Sequence, residues 1–477
     1  MKRRIWAAAL ALVMILSLLP ATAGAAEIVE TGSCGNNVTY TLYDDGRLVI
    51  AGNGKMREYG DSQRSPWHTS SARITEAVIE RGVTSVGGWA FADCGELAGV
   101  TIPEGVTSIG SYAFYGCTSL TDVTIPESVT SIENCAFYGC TSLTGMTIPE
   151  SVSSIESWVF AGCDKLAGVT IPEDVTSIGS YAFYGCTSLA DVTIPGGVTS
   201  IGKWAFADCG KLAGVAIPEG VTRIEDSTFY RCTSLADVTI PGGVASIGGW
   251  AFADCGELTD VTIPESVTSI GNCAFYGCTS LTEMTIPGGV TSIGEWAFAG
   301  CGKLAGVAIP EGVTRIEESV FSGCTSLTDV TIPAGLTSIE ESAFYGCTSL
   351  ADVYYCGSNE QWDSISISGN NNSLLYGIRH YFSSSAPFTV TQSGTMVDKS
   401  YGSVRWDAWS DGAVAVWGSV TTENPILVAA YDEYDRMTGL TWMTEPGRAD
   451  MSGGDTAKIF WIDQNFTPKC KNAVIGE

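Results

Sequence analysis

A strict 23-residue repeat dominates the chain and restricts the folds open to it. Eleven Ile-Pro dipeptides, from Ile102-Pro103 to Ile332-Pro333, follow one another at this spacing without insertion or deletion. Phenylalanine, cysteine and leucine recur in the same register, starting at Phe91, Cys94 and Leu97. A fixed period of this length predicts a solenoid, in which each repeat buries its apolar side only by stacking on its neighbours. Such scaffolds usually bind other molecules, which favours binding over catalysis.

Each repeat, such as residues 97–119, is predicted to contain two short extended segments and a compact turn. The opening Leu-x-x-Val-x-Ile alternates at its end with period two, which predicts a strand with Val and Ile inward and Thr outward. The proline after Ile lacks a hydrogen-bond donor and ends this strand. Val106 and Ile109 are the predicted buried residues of the second segment. The Ala-Phe-x-x-Cys segment suits one helical or 3₁₀ turn that buries Phe and Cys.

These residues resemble the leucine-rich repeats of the BspA type, which occur in bacterial surface proteins. The period, Ile-Pro, Ser-Ile-Gly, Ala-Phe and Cys-x-x-Leu all stand in place over residues 74–356. The flanks resemble the caps of that family, upstream at 32–35, 45–48 and 65–67 and downstream at 355–357, 361–362 and 378–381. The resemblance implies a leucine-rich repeat solenoid with a recognition or adhesion role. It brings no catalytic residue to this chain.

The pattern predicts five segments along the chain. They are a signal peptide (1–26), an N-terminal cap (27–73), a solenoid of about twelve repeats (74–356), a C-terminal cap (357–382), and a linker with a small β domain (383–477). Residues 383–387, Ser-Ser-Ser-Ala-Pro, form the predicted linker. Three strands are predicted after it, at 414–417, 426–431 and 458–461, and roughly 90 residues suffice for a small β-sandwich.

The chain begins with a pattern typical of an export signal. Lys2, Arg3 and Arg4 precede the apolar run 5–19, and Ala-Gly-Ala at 23–25 offers a cleavage site. A retained membrane anchor is the less favoured alternative, because the run is shorter than the ~20 residues that span a bilayer. We therefore expect a secreted or cell-surface protein without an integral membrane segment after cleavage.

The charge balance narrows the expected partners. The chain has 52 acidic and 24 basic residues, which gives a formal net charge of −28. Nucleic-acid binding needs basic patches, so nucleic acid is not an expected partner. We expect the partner to be an extracellular protein or glycan.

Twelve of the 17 cysteines belong to the periodic column. Free cysteine behaves as a small buried hydrophobe, and we predict buried thiols there. The other five are Cys34, Cys135, Cys273, Cys356 and Cys470. The sequence leaves open whether Cys356 and Cys470 form a disulfide bond.

The outward strand position is the candidate binding face, and it is Thr in nine of eleven repeats. Thr is also common at exposed strand positions of proteins in general, so a solvent-exposed face without a binding role is an equally strong interpretation. Acidic residues flank this face, which favours a solvated acidic surface over a calcium site, and no metal or cofactor is predicted. The candidate residues are Thr101, Thr124, Thr147, Thr170, Thr193, Thr239, Thr262, Thr285 and Thr331.

A column of tryptophans lies two residues before the Phe column. Ala stands three places after each Trp, whereas Tyr stands there in six of the seven other repeats. A large side chain beside a small one is typical of volume-conserving packing, which we favour as the role of this column. A stripe of side chains that binds a ligand is the alternative hypothesis. The column comprises Trp89, Trp158, Trp204, Trp250 and Trp296.

Residues suited to catalysis are scarce. His68 and His380 are the two histidines, each in a predicted cap, so a nucleophile–His–acid set would depend on one of them. We predict a non-enzymatic binding protein. The alternative is a carbohydrate-binding accessory protein that uses aromatic residues of the β domain, namely Trp406, Trp409, Trp417 or Trp442.

Overall fold

The computed structural model describes residues 26–357 and 359–369, residues 372 and 375, and the backbone of the strands from residue 379 onwards. Residues 1–25 of the predicted signal peptide and the predicted linker 383–387 lie outside the described residues. The chain divides into two compact bodies. The first ends at Ser153 and also takes Val159–Leu166, and the second takes Ser154–Trp158 and resumes at Ala167.

In the first body, an antiparallel sheet leads directly into the repeats. Arg47–Gly52, its last strand, pairs in parallel with Glu76–Ile79 of the first repeat. A 3₁₀ helix, His68–Arg73, lies between these two strands in sequence. The sheet runs in the order Ile28–Ser33, Val38–Tyr43, Arg47–Gly52, Glu76–Ile79, Gly99–Thr101 and Asp122–Thr124, and Gly145–Thr147 is a further strand of the same kind. A second row comprises Gly54–Lys55, Val83–Val86, Ser108–Ile109 and Ser131–Ile132.

The second body repeats the same two rows of parallel strands. The first row comprises Gly168–Thr170, Asp191–Thr193, Gly214–Ala216, Asp237–Thr239, Asp260–Thr262, Glu283–Thr285, Gly306–Ala308, Asp329–Ile332, Asp352–Tyr355 and Arg379–Phe382. The second row comprises Ser154–Ile155, Ser177–Ile178, Ser200–Ile201, Arg223–Ile224, Ser246–Ile247, Ser269–Ile270, Ser292–Ile293, Arg315–Ile316, Ser338–Ile339 and Ser366–Ile367. Paired strands lie in strict register, Val169 opposite Val192 for example. The predicted solenoid of parallel strands is confirmed.

The core follows the predicted columns. Val106 and Ile109 are fully buried, as expected. Val is buried in most first-row strands, although Val100 and Val169 are only half-buried. The Phe rings are buried and stack face to face, with centroids 5.2–5.8 Å apart in the first body and 5.2–5.7 Å in the second. Within each body, each Phe thus contacts its equivalents in the neighbouring turns.

The predicted short helix of each repeat is wrong. Residues 89–350 contain successive turns there and no helical residue. The N–H groups of Ala92 and Cys94 donate to carbonyls three residues back, but two positions per repeat adopt a left-handed backbone. One is the Trp position, with φ of 58° at Trp89, and the other is the Gly position, with φ of 68° at Gly116. These reversals turn alternate N–H groups toward the next repeat, where Phe91 donates to the carbonyl of Ala113 at 2.8 Å.

Both ends of the repeat core are covered. Trp67 is fully buried, donates from Nε1 to the carbonyl of Ala90 at 2.9 Å, and lies 5.9 Å from the ring of Phe91. After the last repeat, a short α-helix, Asn359–Asp363, places Trp362 5.4 Å from Tyr355. The residues that resembled caps therefore do cover apolar core at these positions.

Beyond the repeats, the strands from residue 388 form two sheets. The strands predicted at 414–417, 426–431 and 458–461 correspond to Ala413–Gly418, Ile426–Tyr431 and Thr456–Trp461. One sheet has the order Phe388–Val390, Ala473–Gly476, Thr456–Trp461, Ile426–Tyr431 and Met437–Met443. The other has the order Ser393–Asp398, Gly402–Ala408, Ala413–Gly418 and Gly447–Asp450.

Candidate functional site

The structure places the Thr column on an exposed strand face. Eight of its nine side chains are exposed, and Thr331 is half-exposed. The parallel register sets Thr101 opposite Thr124, and Thr262 opposite Thr285. The fold thus brings these predicted residues into ladders within each body; their role in binding stays a prediction.

The strand face departs from its Thr pattern in two repeats, at Ala216 and at Ala308. Ala216 replaces Thr, and Gly214 replaces the acidic residue of the neighbouring repeats. A depression of about 450 Å³ forms there, bordered by Asp191 and Asp237. The sheet is also interrupted, because Asp191–Thr193 and Gly214–Ala216 belong to different sheets. Gly306 and Ala308 form the same pair of small residues in another repeat, so the pair alone does not identify this depression in the sequence.

Aromatic side chains form a second repeated surface, which we call the aromatic column. They come from two positions of the turn, two residues before and one residue after the buried Phe. In the first body the column comprises Trp89, Tyr112, Tyr115 and Tyr138, and in the second Trp158, Tyr181, Tyr184, Trp204, Tyr230, Trp250, Tyr276, Trp296 and Tyr345. Most of these side chains are half-buried, whereas Trp250 is 41%, Trp296 38% and Tyr345 58% exposed.

The rings of the aromatic column contact one another between turns. Trp204 lies 6.3 Å from Tyr184 in the turn before and 5.4 Å from Tyr230 in the turn after, both edge to face. Ala207, three places after Trp204, is buried and leaves the room beside the indole to rings of adjacent turns. The predicted packing role is confirmed, although the partners come from neighbouring turns. Exposed ring surface remains available, so the stripe hypothesis also stays open.

The Trp89 end of the column holds a cation from the N-terminal cap. The guanidinium of Arg64 lies 4.7 Å from the centre of the Trp89 ring. Arg64 also forms ion pairs with Asp93 (3.1 Å) and Asp61. Arg64 was not singled out from the sequence, because its partner Asp93 lies 29 residues away.

The periodic cysteines are buried thiols. The 16 cysteines in the described part of the chain form no disulfide with one another, and Cys470 lies outside it. In the repeats of Cys117, Cys140, Cys163, Cys209, Cys232, Cys255, Cys278, Cys301, Cys324 and Cys347, the thiol donates to the carbonyl of the Phe in the preceding turn, as Cys232 does to Phe206 at 3.2 Å. Burial raises the pKa of Cys140 to about 12. The predicted burial of the periodic cysteines is confirmed. The sequence pattern predicts apolar side chains at these positions and does not predict this hydrogen bond.

The remaining candidates show no assembled reaction centre. His68 lies in the 3₁₀ helix, and His380 lies in Arg379–Phe382, where side chains are not described. Among the described residues, no group of three or more His, Cys, Asp or Glu side chains is placed to hold a metal ion. Hydrogen bonding to Lys203 at 2.7 Å lowers the pKa of Asp226, an ion pair at the surface.

Two further features concern the alternatives drawn from the sequence. The side chains of Trp406, Trp417 and Trp442, and all of Trp409, lie outside the described residues. No helix in the described part of the chain combines the length and apolar character needed to cross a membrane.

Comparison with known proteins places these features in a family. The profile for the BspA type leucine rich repeat region, with six copies, matches residues 68–174, 159–268 and 246–373. A leucine rich cell surface protein from Faecalibacterium prausnitzii is 31% identical over 72% of this chain and 98% of its own, with a TM-score of 0.47. A leucine-rich repeat protein from Bacteroides ovatus is 27% identical over 70% of this chain and 98% of its own, with a TM-score of 0.53. Curated proteins gave no match. The chain belongs to the BspA-type leucine-rich repeat family.

Proposed function

We propose that the chain is a non-enzymatic binding protein of the cell exterior that recognises an extracellular protein or glycan through its repeats. The half-exposed aromatic column is the observation that carries this proposal. Exposed aromatic side chains grouped on one surface are typical of interaction sites, and Trp and Tyr dominate binding energy in interfaces. Hydrogen bonds between turns also fix the backbone of the column; for example, the backbone N–H of Trp250 donates to the carbonyl of Asn272 at 2.8 Å. A rigid surface loses little conformational entropy on binding.

The location at the cell surface rests on kinship. The F. prausnitzii relative is described as a cell surface protein, and the basic, apolar and small-residue pattern of residues 1–25 supports export. The exposed Thr face adds a second repeated surface for adhesion. The strands after residue 388 form the small β-sandwich in this proposal, with carbohydrate binding by its tryptophans as the alternative function.

An array of glycans and matrix proteins, probed with the mature chain, tests the proposal. The Trp250→Ala/Trp296→Ala variant should bind the best ligand more weakly, because it removes exposed ring surface while leaving the Phe core intact. Thr262→Ala/Thr285→Ala is the matched control for the strand face. A chain ending at residue 382 that loses glycan binding would favour the alternative. Absence of binding to every array member, or release of a cleaved product, would contradict the proposal.

A further inference from the structure

In the second body, the aromatic column lacks a ring between two tryptophans at two positions, Ser227 and Cys273, and at Cys273 both flanking indoles are exposed. In the first of two corresponding sets, the ring of Tyr181 lies between Trp158 (3.8 Å, 5° between planes) and Trp204 (5.8 Å, 6°). Four repeats later Cys273 stands in the position of Tyr181. The set Trp158, Tyr181, Tyr184 and Trp204 thus corresponds to Trp250, Cys273, Tyr276 and Trp296.

The frame around the missing ring is kept. Tyr184 lies 6.1 and 6.3 Å from its two tryptophans, at 62° and 66°. Tyr276 lies 5.8 and 6.5 Å from Trp250 and Trp296, at 49° and 57°. We call the space between these two indoles the Trp250–Trp296 slot.

A spacing of two turns admits one flat group, as Tyr181 shows between Trp158 and Trp204. The two tryptophans of the slot are two turns apart, roughly 10 Å at the usual strand spacing. A flat group between two rings needs about 7 Å, twice the optimal carbon–carbon separation. Cys273 lies recessed at the bottom with 7% of its surface exposed, while both indoles are exposed at the rim.

The same column already accepts a guanidinium in the first body. Arg64 covers one face of Trp89, while Tyr112 stacks on that indole at 4.4 Å. Asp93, four residues after Trp89, forms an ion pair with Arg64. A planar cation therefore serves in the place of a ring when a carboxylate is near.

Carboxylates stand in corresponding positions at the slot. Asp254 follows Trp250 at the interval at which Asp93 follows Trp89, and Glu295 directly precedes Trp296. Burial, followed by the negative charge of Glu295, raises the pKa of Cys273 to about 11, which is consistent with a carboxylate near the bottom of the slot. The chain's net charge of −28 further favours a cationic ligand.

We propose that the Trp250–Trp296 slot binds the guanidinium of an arginine side chain presented by a protein partner. This inference rests on the proposed binding function and selects a protein ligand with an exposed arginine. The guanidinium is planar and weakly hydrated and stacks on aromatic faces, so two indoles and a nearby carboxylate complement it better than they complement a compact ammonium.

Alkylation of Cys273 reports directly on occupancy of the slot. Iodoacetamide labelling of the mature chain, followed by peptide mass spectrometry, is measured with added N-acetyl-arginine methylamide. With this amide at about ten times its dissociation constant, we expect about ten-fold slower labelling of Cys273, because the occupied slot shields the thiol. Cys135, buried at the same position of another repeat, should label at an unchanged rate. N-acetyl-citrulline methylamide has the same shape without the charge and should not protect. Equal protection by citrulline, or none by arginine, would overturn the proposal.

Two reciprocal substitutions complete the test. Cys273→Tyr fills the slot, and it should fold because Tyr181 occupies the same left-handed backbone position, with φ of 59° against 56° at Cys273. Its affinity for a fluorescein-labelled Gly-Arg-Gly peptide should fall about ten-fold. Tyr181→Cys should create a second site for that peptide between Trp158 and Trp204. Unchanged affinity in Cys273→Tyr would overturn the slot.

The slot and the proposed function fail in different ways. Binding to an array protein without arginine protection of Cys273 would overturn the slot alone. Arginine protection without any array ligand would support the slot and count against the wider binding function.

Discussion

At the scale of single residues, the Phe and Trp columns differ in how much surface they bury. Phe206 is fully buried between the rings of Phe183 and Phe229. Phe206→Ala should lower the free energy of unfolding by ~3–5 kcal/mol, the range for a buried aromatic truncation. Trp204→Ala, two residues away, should cost clearly less because Trp204 is half-exposed. Denaturant titration followed by circular dichroism measures both, and equal losses would mean that the Trp column is core.

The buried thiols predict an alkaline loss of stability. Burial raises the pKa of Cys94, Cys140 and Cys347 from 9.0 to about 12. Because the unfolded thiols ionise first, their stabilising effect is complete below pH 9 and is lost as the pH rises toward 12. The melting temperature of Cys140→Ala should therefore fall less steeply over this range than that of the parent chain. Parallel curves would show that Cys140 does not contribute.

In Ellman titration, few thiols of the periodic column should react until denaturant is added.

The left-handed Gly position offers a stabilising change. Arg231 adopts φ of 57° there, which costs an L-residue roughly 1–2 kcal/mol. Its ion pair with Asp208 is long, at 3.5 Å, and exposed, so little is lost with it. Arg231→Gly should raise the free energy of unfolding by about 1 kcal/mol. Gly300→Ala, at φ of 75°, is the opposite control and should lower it. A destabilised Arg231→Gly would show that the ion pair dominates.

At the scale of elements, the strands could be predicted from the sequence and the turns could not. Val123 and Ile125 follow a two-residue alternation, which predicts their burial directly. The turn depends on left-handed backbone at Trp89 and its equivalents, a conformation rare for Trp. Inter-turn hydrogen bonds impose it, so local preference gives no warning. The aromatic column was found because it repeats, whereas its contacts join residues of different turns and needed the structure.

The C-terminal end of the repeats was also not foreseen, because one side chain replaces a missing turn. Oδ1 of Asn372 accepts from the N–H of Phe344 at 3.3 Å, in place of the carbonyl that a next repeat would supply. Its Nδ2 donates to the carbonyls of Glu340 and Ser368 at 2.7 and 2.9 Å. Asn372→Ala should cost ~1–3 kcal/mol, since it leaves buried backbone groups unsatisfied. Hydrogen exchange should then accelerate in the last repeats and not around Phe206. Uniform acceleration would contradict a capping role.

At the scale of the whole molecule, repetition predicts how the strand face binds. Each repeat presents similar Thr chemistry about 4.8 Å from the next. Contacts that are weak singly add up when several repeats engage one ligand. The depression at Ala216 is a place on the strand face where one contact can be stronger than the contacts of the neighbouring repeats. The Trp250–Trp296 slot adds a local contact on the turns, which any test of the strand face must leave intact.

An in-register deletion separates these contributions. Removing residues 299–344, two whole repeats, joins Phe298 to Tyr345 and keeps both Trp296 and the C-terminal cap. The fold should persist because each repeat contacts only its neighbours. An unfolded product would show instead that repeats are not interchangeable.

The most direct test compares the dissociation constants of three folded chains for the strongest array ligand by surface plasmon resonance. The chains are the mature protein, the deletion of 299–344, and the single variant Thr262→Ala. Binding spread over the repeats predicts a moderate loss in the deletion and nearly unchanged affinity in Thr262→Ala. Abolished binding in Thr262→Ala, with an unchanged circular dichroism spectrum, would contradict it and place the binding energy at one localised site.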